Sequence, residues 1–262
     1  METADAYIQT KAFLIALAYT QPRIIAMFIA LPIFNAQLMP GMLRLSVAAG
    51  LGVMAAPLLV PVVTVTELNG AQILMLLVKE AFVGFVMGYL IAIPFWAFEA
   101  VGFLIDNQRG ASIAATLNPL TGNDTSPLGV LFNQAFIVFF FISGGFLLML
   151  GVLYDSFRLW PVFTWAPELR PETMPLLLDQ LSRLVRIAVL LGAPAIVAMF
   201  LAEIGLALVS RFVPQLQVFF LAMPIKSALA MLVLLLYLST LFDYAHDYVG
   251  ELRGIIPFLS DQ

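Results

Sequence analysis

Of 262 residues, 62% are hydrophobic and 11% are charged, with a mean hydropathy of +1.02, whereas a soluble domain carries about 25% charged residues. The chain reads as an integral membrane protein with room for about six or seven spans, or for one helical unit of comparable size. Its net charge of −4 without a basic run speaks against nucleic acid or a lipid-headgroup patch, and the absence of cysteine removes disulfides, thiolate metal sites and a cysteine nucleophile.

The first residues carry Glu2 and Asp5 ahead of any base, and no A-x-A-like site follows the apolar run, so a retained first helix is expected. Residues 12–34 are apolar apart from Gln21-Pro22-Arg23, which predicts a helix, a break there, a short helix and a turn at Met39-Pro40-Gly41. Residues 45–63 predict a second helix, bent or ended by Pro57 and Pro61. A polar turn at 67–70 leads into 71–104, a long apolar stretch expected to form one helix kinked at Pro94.

The stretch 104–128, LIDNQRGASIAATLNPLTGNDTSPL, is the least helix-like part of the chain. Gly110, Asn118-Pro119, Gly122-Asn123-Asp124 and Ser126-Pro127 are turn signals, and a structured loop is expected. In a membrane protein, irregular backbone lies outside the hydrocarbon, is buried in protein, or lines a water-filled cavity. That makes this stretch the leading functional candidate, against an ordinary surface loop. Next, 129–154 carries no charge before Asp155 and predicts an uninterrupted span. Residues 155–173, with Arg158, Trp160, Pro161, Trp165, Pro167 and Arg170, suit an interfacial linker. Residues 175–209 and 219–248 predict a helical hairpin turning at 210–215, and 243–262 a polar tail outside the membrane.

Lys79, Glu80, Glu99, Glu203 and Lys226 fall within or at the edges of apolar stretches. An ionisable group at a helix centre costs about 2.5–3.5 kcal/mol on insertion scales, so these groups face protein or water. Adjacent Lys79 and Glu80 point about 100° apart on a helix and are expected to address different neighbours, pairing between subunits being the simpler inference. Gly84 and Gly88 follow Glu80 at one and two turns, a small-residue face for close approach by another subunit's helix or by one in this chain. Arg158, Arg170, Arg183 and Arg186 are nearly balanced by Asp155, Glu168, Glu172 and Asp179, so charge gives no orientation.

The sequence has no phosphate-binding loop, no H-E-x-x-H and no G-x-S-x-G, and nothing supports hydrolysis. Asp243, Asp247 and Glu251 share a helical face near His246, the only histidine; this is a solvated helix end or a metal stripe, and the former is favoured.

The run IDNQRGASIAATLNPLTGNDTSPLG, with RFVPQLQVFFLAMPIK downstream and KEAFVGFVMGY upstream, resembles the SctT/FliR family (also SpaR and YscT), the T subunit of the type III secretion export gate. The resemblance covers nearly the whole chain. It implies an all-α membrane protein of kinked helical hairpins: residues 1–154 similar to an R subunit, 155–173 a linker, and 174–262 similar to an S-subunit hairpin. The central loop would plug the substrate channel through Asp106, Asn107, Gln108, Arg109, Gly110, Ala111, Ser112, Leu117, Asn118, Pro119, Thr121 and Gly122.

Subunit contacts would fall at Lys79, Glu80, Gly84, Gly88 and Glu203, and around the hairpin turn at Pro214, Gln215, Phe219, Phe220, Pro224 and Lys226. The implied partners are several R-type and S-type subunits around one copy of this chain, the switch (U-type) subunit, the inner-rod protein and the exported proteins. The implied place is the bacterial inner membrane, within the secretion-system base. No cofactor, metal or enzymatic activity is implied. Asn107-Gln108-Arg109-Gly110 looks closer to the virulence injectisome branch than to the flagellar one. The rival reading is a small secondary transporter, with helices broken at Pro32, Pro94 and Pro194 and a substrate or proton site at Glu203 or Lys226.

Overall fold

The computed structural model describes residues 2–35, 38–65, 68–110, 126–165, 173–213 and 218–254, and among them there is no strand. Helix α1 is Glu2–Ala30, followed by a 3-10 turn at Pro32–Phe34; α2 is Gly41–Val63 and α3 is Gly70–Arg109. Then come α4 at Pro127–Ile142, α5 at Gly145–Leu159, α6 at Thr173–Phe212 and α7 at Val218–Glu251, with a closing 3-10 turn at Leu252–Gly254. Five helices are long and apolar enough to cross a membrane, or up to six if the broken pair α4 and α5 is one span. The chain is an all-α membrane protein.

Two compact units interleave along it: Met1–Ala92, Gly144–Leu177 and Glu251–Gln262 form one, and Ile93–Ser143 with Leu178–Gly250 the other. Helix α3 passes from the first unit into the second just before Pro94.

In the first unit, α1 runs unbroken through Pro22, against the expectation of a break at Gln21-Pro22-Arg23. A proline inside a helix costs about 3 kcal/mol through its lost bond and its ring clash. Here the turn that follows is fixed from outside: Arg23, Ile24, Met27 and Phe28 are buried, and Arg23 is tied to two other helices. The helix ends instead at Ala30, after which Pro32 opens the 3-10 turn and Phe34 stacks on Phe28 with centroids 3.7 Å apart. Helix α2 packs on α1 through small residues, Ala48, Gly52, Ala55 and Ala56. Helix α3 starts on a reciprocal cap: Asn69 N donates to Gln72 Oε1 and Gln72 N to Asn69 Oδ1, each at 2.9 Å.

The span expected over 129–154 is interrupted. Helix α4 stops at Ile142, Gly144 takes a left-handed φ of +81°, and α5 begins at Gly145. Ser143-Gly144-Gly145 offers the backbone freedom that a hydropathy count does not register.

In the second unit, the distal half of α3 packs on α4 through Phe95, Phe98, Phe136 and Phe140. Phe136 meets Phe95 edge-on and lies parallel to Phe98, each with centroids 4.7 Å apart. Gly102 lets the two backbones touch, since a methyl there would stand 2.4 Å from Gly129 N. Helices α6 and α7 form the expected hairpin, with Ala195, Met199, Ala230 and Leu234 buried and the Tyr237 hydroxyl donating to Leu191 O. Both helices leave much of their apolar length uncovered, whereas α3 buries most of its own. Helix α7 continues through Asp243, Asp247 and Glu251, so the polar tail begins inside a helix.

Candidate functional site

Among the described residues, several groups of polar side chains interrupt the apolar helices. The first lies in the first unit, where α1, α3 and α5 meet. Arg23 Nε donates to Glu80 Oε2 at 2.7 Å and its terminal nitrogens donate to Glu80 Oε1 at 2.9 Å, Trp160 O at 2.7 Å and Ser156 Oγ at 3.1 Å. Its guanidinium also sits 4.3 Å from the centre of the Phe157 ring. Lys79 Nζ lies 2.6 Å from Glu80 Oε1 and donates to the carbonyls of Pro161 at 3.0 Å and Val162 at 2.7 Å. All three charged residues are buried.

Two cations thus share one carboxylate, and the remaining positive charge is met by carbonyls just past the C-terminus of α5, the negative end of that helix. Lys79 and Glu80, expected to address different neighbours, bind each other, and Glu80 also binds Arg23, within one chain. Gly84 and Gly88 likewise meet α1: a methyl at Gly84 would fall 2.0 Å from Arg23 O, and one at Gly88 2.7 Å from Met27 O. Of the two partners left open for this small-residue face, a helix of this chain is the one that meets it here. Arg23 was missed by sequence reasoning, although an arginine within an apolar helix was a visible signal.

The second group lies at the ends of the central stretch. Asp106 Oδ1 accepts from Arg109 Nε at 2.6 Å, while Oδ2 accepts from Ser126 Oγ at 2.6 Å and Leu128 N at 2.9 Å. Ser126 in turn accepts from Gly129 N at 2.9 Å, capping α4. One carboxylate therefore joins the last turn of α3 to the first turn of α4. Contrary to the expected loop boundaries, residues 104–109 belong to α3 and 127–128 to α4. Gly110 follows with φ +85°. Ala111, Ser112, Leu117, Asn118, Pro119, Thr121 and Gly122 lie outside the described residues.

Beside this end of α3, a groove of about 420 Å³ is lined by Asn107, Gln108 and Gly110, by Glu203, Leu206, Ala207 and Ser210 of α6, and by Ala222, Met223 and Lys226 of α7. Lys226 Nζ lies 3.3 Å from Glu203 Oε2, with Lys226 mostly buried and Glu203 half exposed. The fold thus brings Asn107, Gln108 and Gly110 together with Glu203 and Lys226, two sets that the sequence left apart. Pro224 and Lys226 sit within α7, not in the hairpin turn. Pro214 and Gln215 lie outside the described residues, as do the side chains of Phe219 and Phe220.

The third group is a pair: Asn133 Nδ2 of α4 donates to Glu99 Oε2 of α3 at 2.9 Å. At the far end of α7, Asp243, His246, Asp247 and Glu251 are exposed. Among the described residues, no three acidic or histidine side chains are placed to hold a metal ion.

Residues 14–252 match the family described as bacterial export proteins, family 1, and the chain belongs to it. It is 41% identical over 225 residues to "Yop proteins translocation protein T" of Yersinia pestis, covering 86% of each chain. To "Secretion system apparatus protein SsaT" of Salmonella typhimurium it is 36% identical over 196 residues, 71% of this chain and 70% of the relative. To "Flagellar biosynthetic protein FliR" of Bacillus subtilis it is 29% identical over 223 residues, 84% and 85% of the two chains. Membership of this export family and the long apolar helices place the protein in the bacterial inner membrane, in the base of a secretion system.

Proposed function

We propose that this chain is a non-enzymatic core subunit of a type III export gate, and that its central stretch, 104–128, plugs the channel through which unfolded proteins pass. The observation that carries the reading is the Asp106 clasp. Because one carboxylate binds Arg109, Ser126 and Leu128, the described residues on either side of 111–125 are held together at the end of α3. A plug needs such a fixed base, and small and polar residues such as Gly110, Ala111, Ser112 and Gly122 suit a narrow lumen.

In this reading one copy packs with several R-type and S-type subunits, meets the switch subunit and the inner rod, and passes secreted proteins without consuming energy itself. Residues 1–154 play the R-like part and 174–262 the S-like hairpin. The higher identity to the Yop translocation protein than to the flagellar relative favours the injectisome branch. Deleting residues 111–121 is expected to leave assembly intact and make the membrane leak ions; unchanged ion conductance in an assembled complex refutes the plug.

Native mass spectrometry of the chain extracted from its host tests the assembly. Several copies of two smaller hydrophobic partners support the gate. A chain that purifies alone or as a homodimer supports the transporter reading instead, which the groove at Glu203 and Lys226 favours.

A further inference from the structure

We propose that Glu99, with Asn133 as its amide partner, forms a proton-binding site inside the membrane-spanning part of the chain. The proposal goes beyond the gate reading and does not rest on it.

Glu99 lies in the apolar length of α3, between buried Phe95 and Phe98 on one side and buried Val101 on the other. Among the described residues, its carboxylate has one hydrogen-bond donor, Asn133 Nδ2 at 2.9 Å. Among the described residues, no cation lies within ion-pair distance. Helix α4, which supplies Asn133, carries no charged residue at all. Along α3 the next charges are Asp106 and Arg109, about 10 and 15 Å further at 1.5 Å per residue, and they pair with each other. On α6 and α7, Glu203 and Lys226 are likewise paired with each other, and Arg183 lies over the Tyr248 ring. Among the described residues, partly exposed Glu99 therefore differs from the two buried carboxylates: Glu80 has two cations, and Asp106 has one cation and two further donors.

The second observation concerns Asn133. Its Oδ1 is buried and, among the described residues, has no hydrogen-bond donor. An amide offers a donor at one end and an acceptor at the other, and a half-turn of the group exchanges them with little change in shape. A carboxylate only accepts, whereas a carboxylic acid can also donate. Ionised Glu99 takes the amide N–H; protonated Glu99 gives its O–H to Oδ1. The reaction is a single proton transfer from water: an O–H bond forms on the Glu99 carboxylate, hydroxide is left in the solvent, and the Asn133 amide turns over. The pair thus has a bonded arrangement for each protonation state of the carboxyl group.

Two measurements on the full-length chain in its host membrane test this. Dicyclohexylcarbodiimide adds to protonated carboxyl groups, and the acyl group then migrates to nitrogen, leaving a stable adduct that peptide mass mapping locates. The expected adduct is on Glu99 and not on ion-paired Glu80, and its yield falls as pH rises. Asn133→Leu removes the one donor to the ionised form and is expected to carry labelling to higher pH. Infrared difference spectra across the same pH range are expected to show a protonated-carboxyl band that disappears in Glu99→Gln. A band unchanged by Glu99→Gln, together with no pH-dependent adduct at Glu99 in the unaltered chain, overturns the proposal and leaves the gate reading untouched.

Discussion

Removing members of the buried Arg23, Lys79 and Glu80 network one at a time predicts a ranking that follows from charge and not from size. Glu80→Gln leaves two buried cations facing each other with only carbonyls and a hydroxyl around them. Breaking a buried pair in this way costs about 3–5 kcal/mol, and the apolar surroundings push it to the upper end. Arg23→Met is milder. It leaves Lys79 and Glu80 as a neutral pair at 2.6 Å, and its cost, about 3 kcal/mol, comes from the unpartnered Trp160 carbonyl and from lost packing on Phe157. Lys79→Met is mildest, about 1–3 kcal/mol, because the two-pronged Arg23–Glu80 pair survives and only the carbonyls of Pro161 and Val162 lose a donor. Thermal unfolding in mild detergent, followed by tryptophan fluorescence, measures all three variants, with Trp160 at the network itself as reporter. A Glu80→Gln protein as stable as Lys79→Met refutes the reasoning, since it means that the excess positive charge is neutralised by something other than that carboxylate.

Gly84→Ala is expected to lower the amount of folded protein sharply, because the new methyl meets Arg23 backbone and not a movable side chain, whereas Gly50→Ala, with open space around it, stabilises α2 by roughly 1 kcal/mol; immunoblotting of membranes compares them. Asp106→Asn and Ser126→Ala loosen the ends of the central stretch, the cap alone being worth about 1 kcal/mol, and limited proteolysis is expected to cut between 106 and 128 faster in both. Exchanging the groove pair, Glu203→Lys with Lys226→Glu, is expected to restore secretion that either single reversal abolishes; a double variant no better than the singles shows that the two residues act separately.

The helices were largely legible in the sequence because apolar runs of membrane length leave little alternative, and the α6–α7 hairpin and the long α3 emerged close to their expected bounds. Pro22 and Gly144 show where a linear pattern fails. Proline advertises a break that buried Arg23 overrides, while Gly144 makes a break inside a run that hydropathy scores as continuous. Lys79 and Glu80 were recognisable as charges out of place, yet the second cation on Glu80, Arg23, stands 57 positions before it and no local spacing connects them. The same holds for Asp106 and Ser126, twenty positions apart, and for Glu99 and Asn133, thirty-four apart. Residue type revealed which groups need partners, and only the fold reveals which partners they have.

The reach of Arg23 also bears on how the protein is made. Synthesis delivers Arg23 to the membrane well before Glu80 and long before Trp160. In that interval the arginine has no carboxylate of its own, and residence at a helix centre costs about 2.5–3.5 kcal/mol. The first helix is therefore a provisional occupant of the bilayer until α3 emerges, and its commitment is complete only when the carbonyls after α5 arrive.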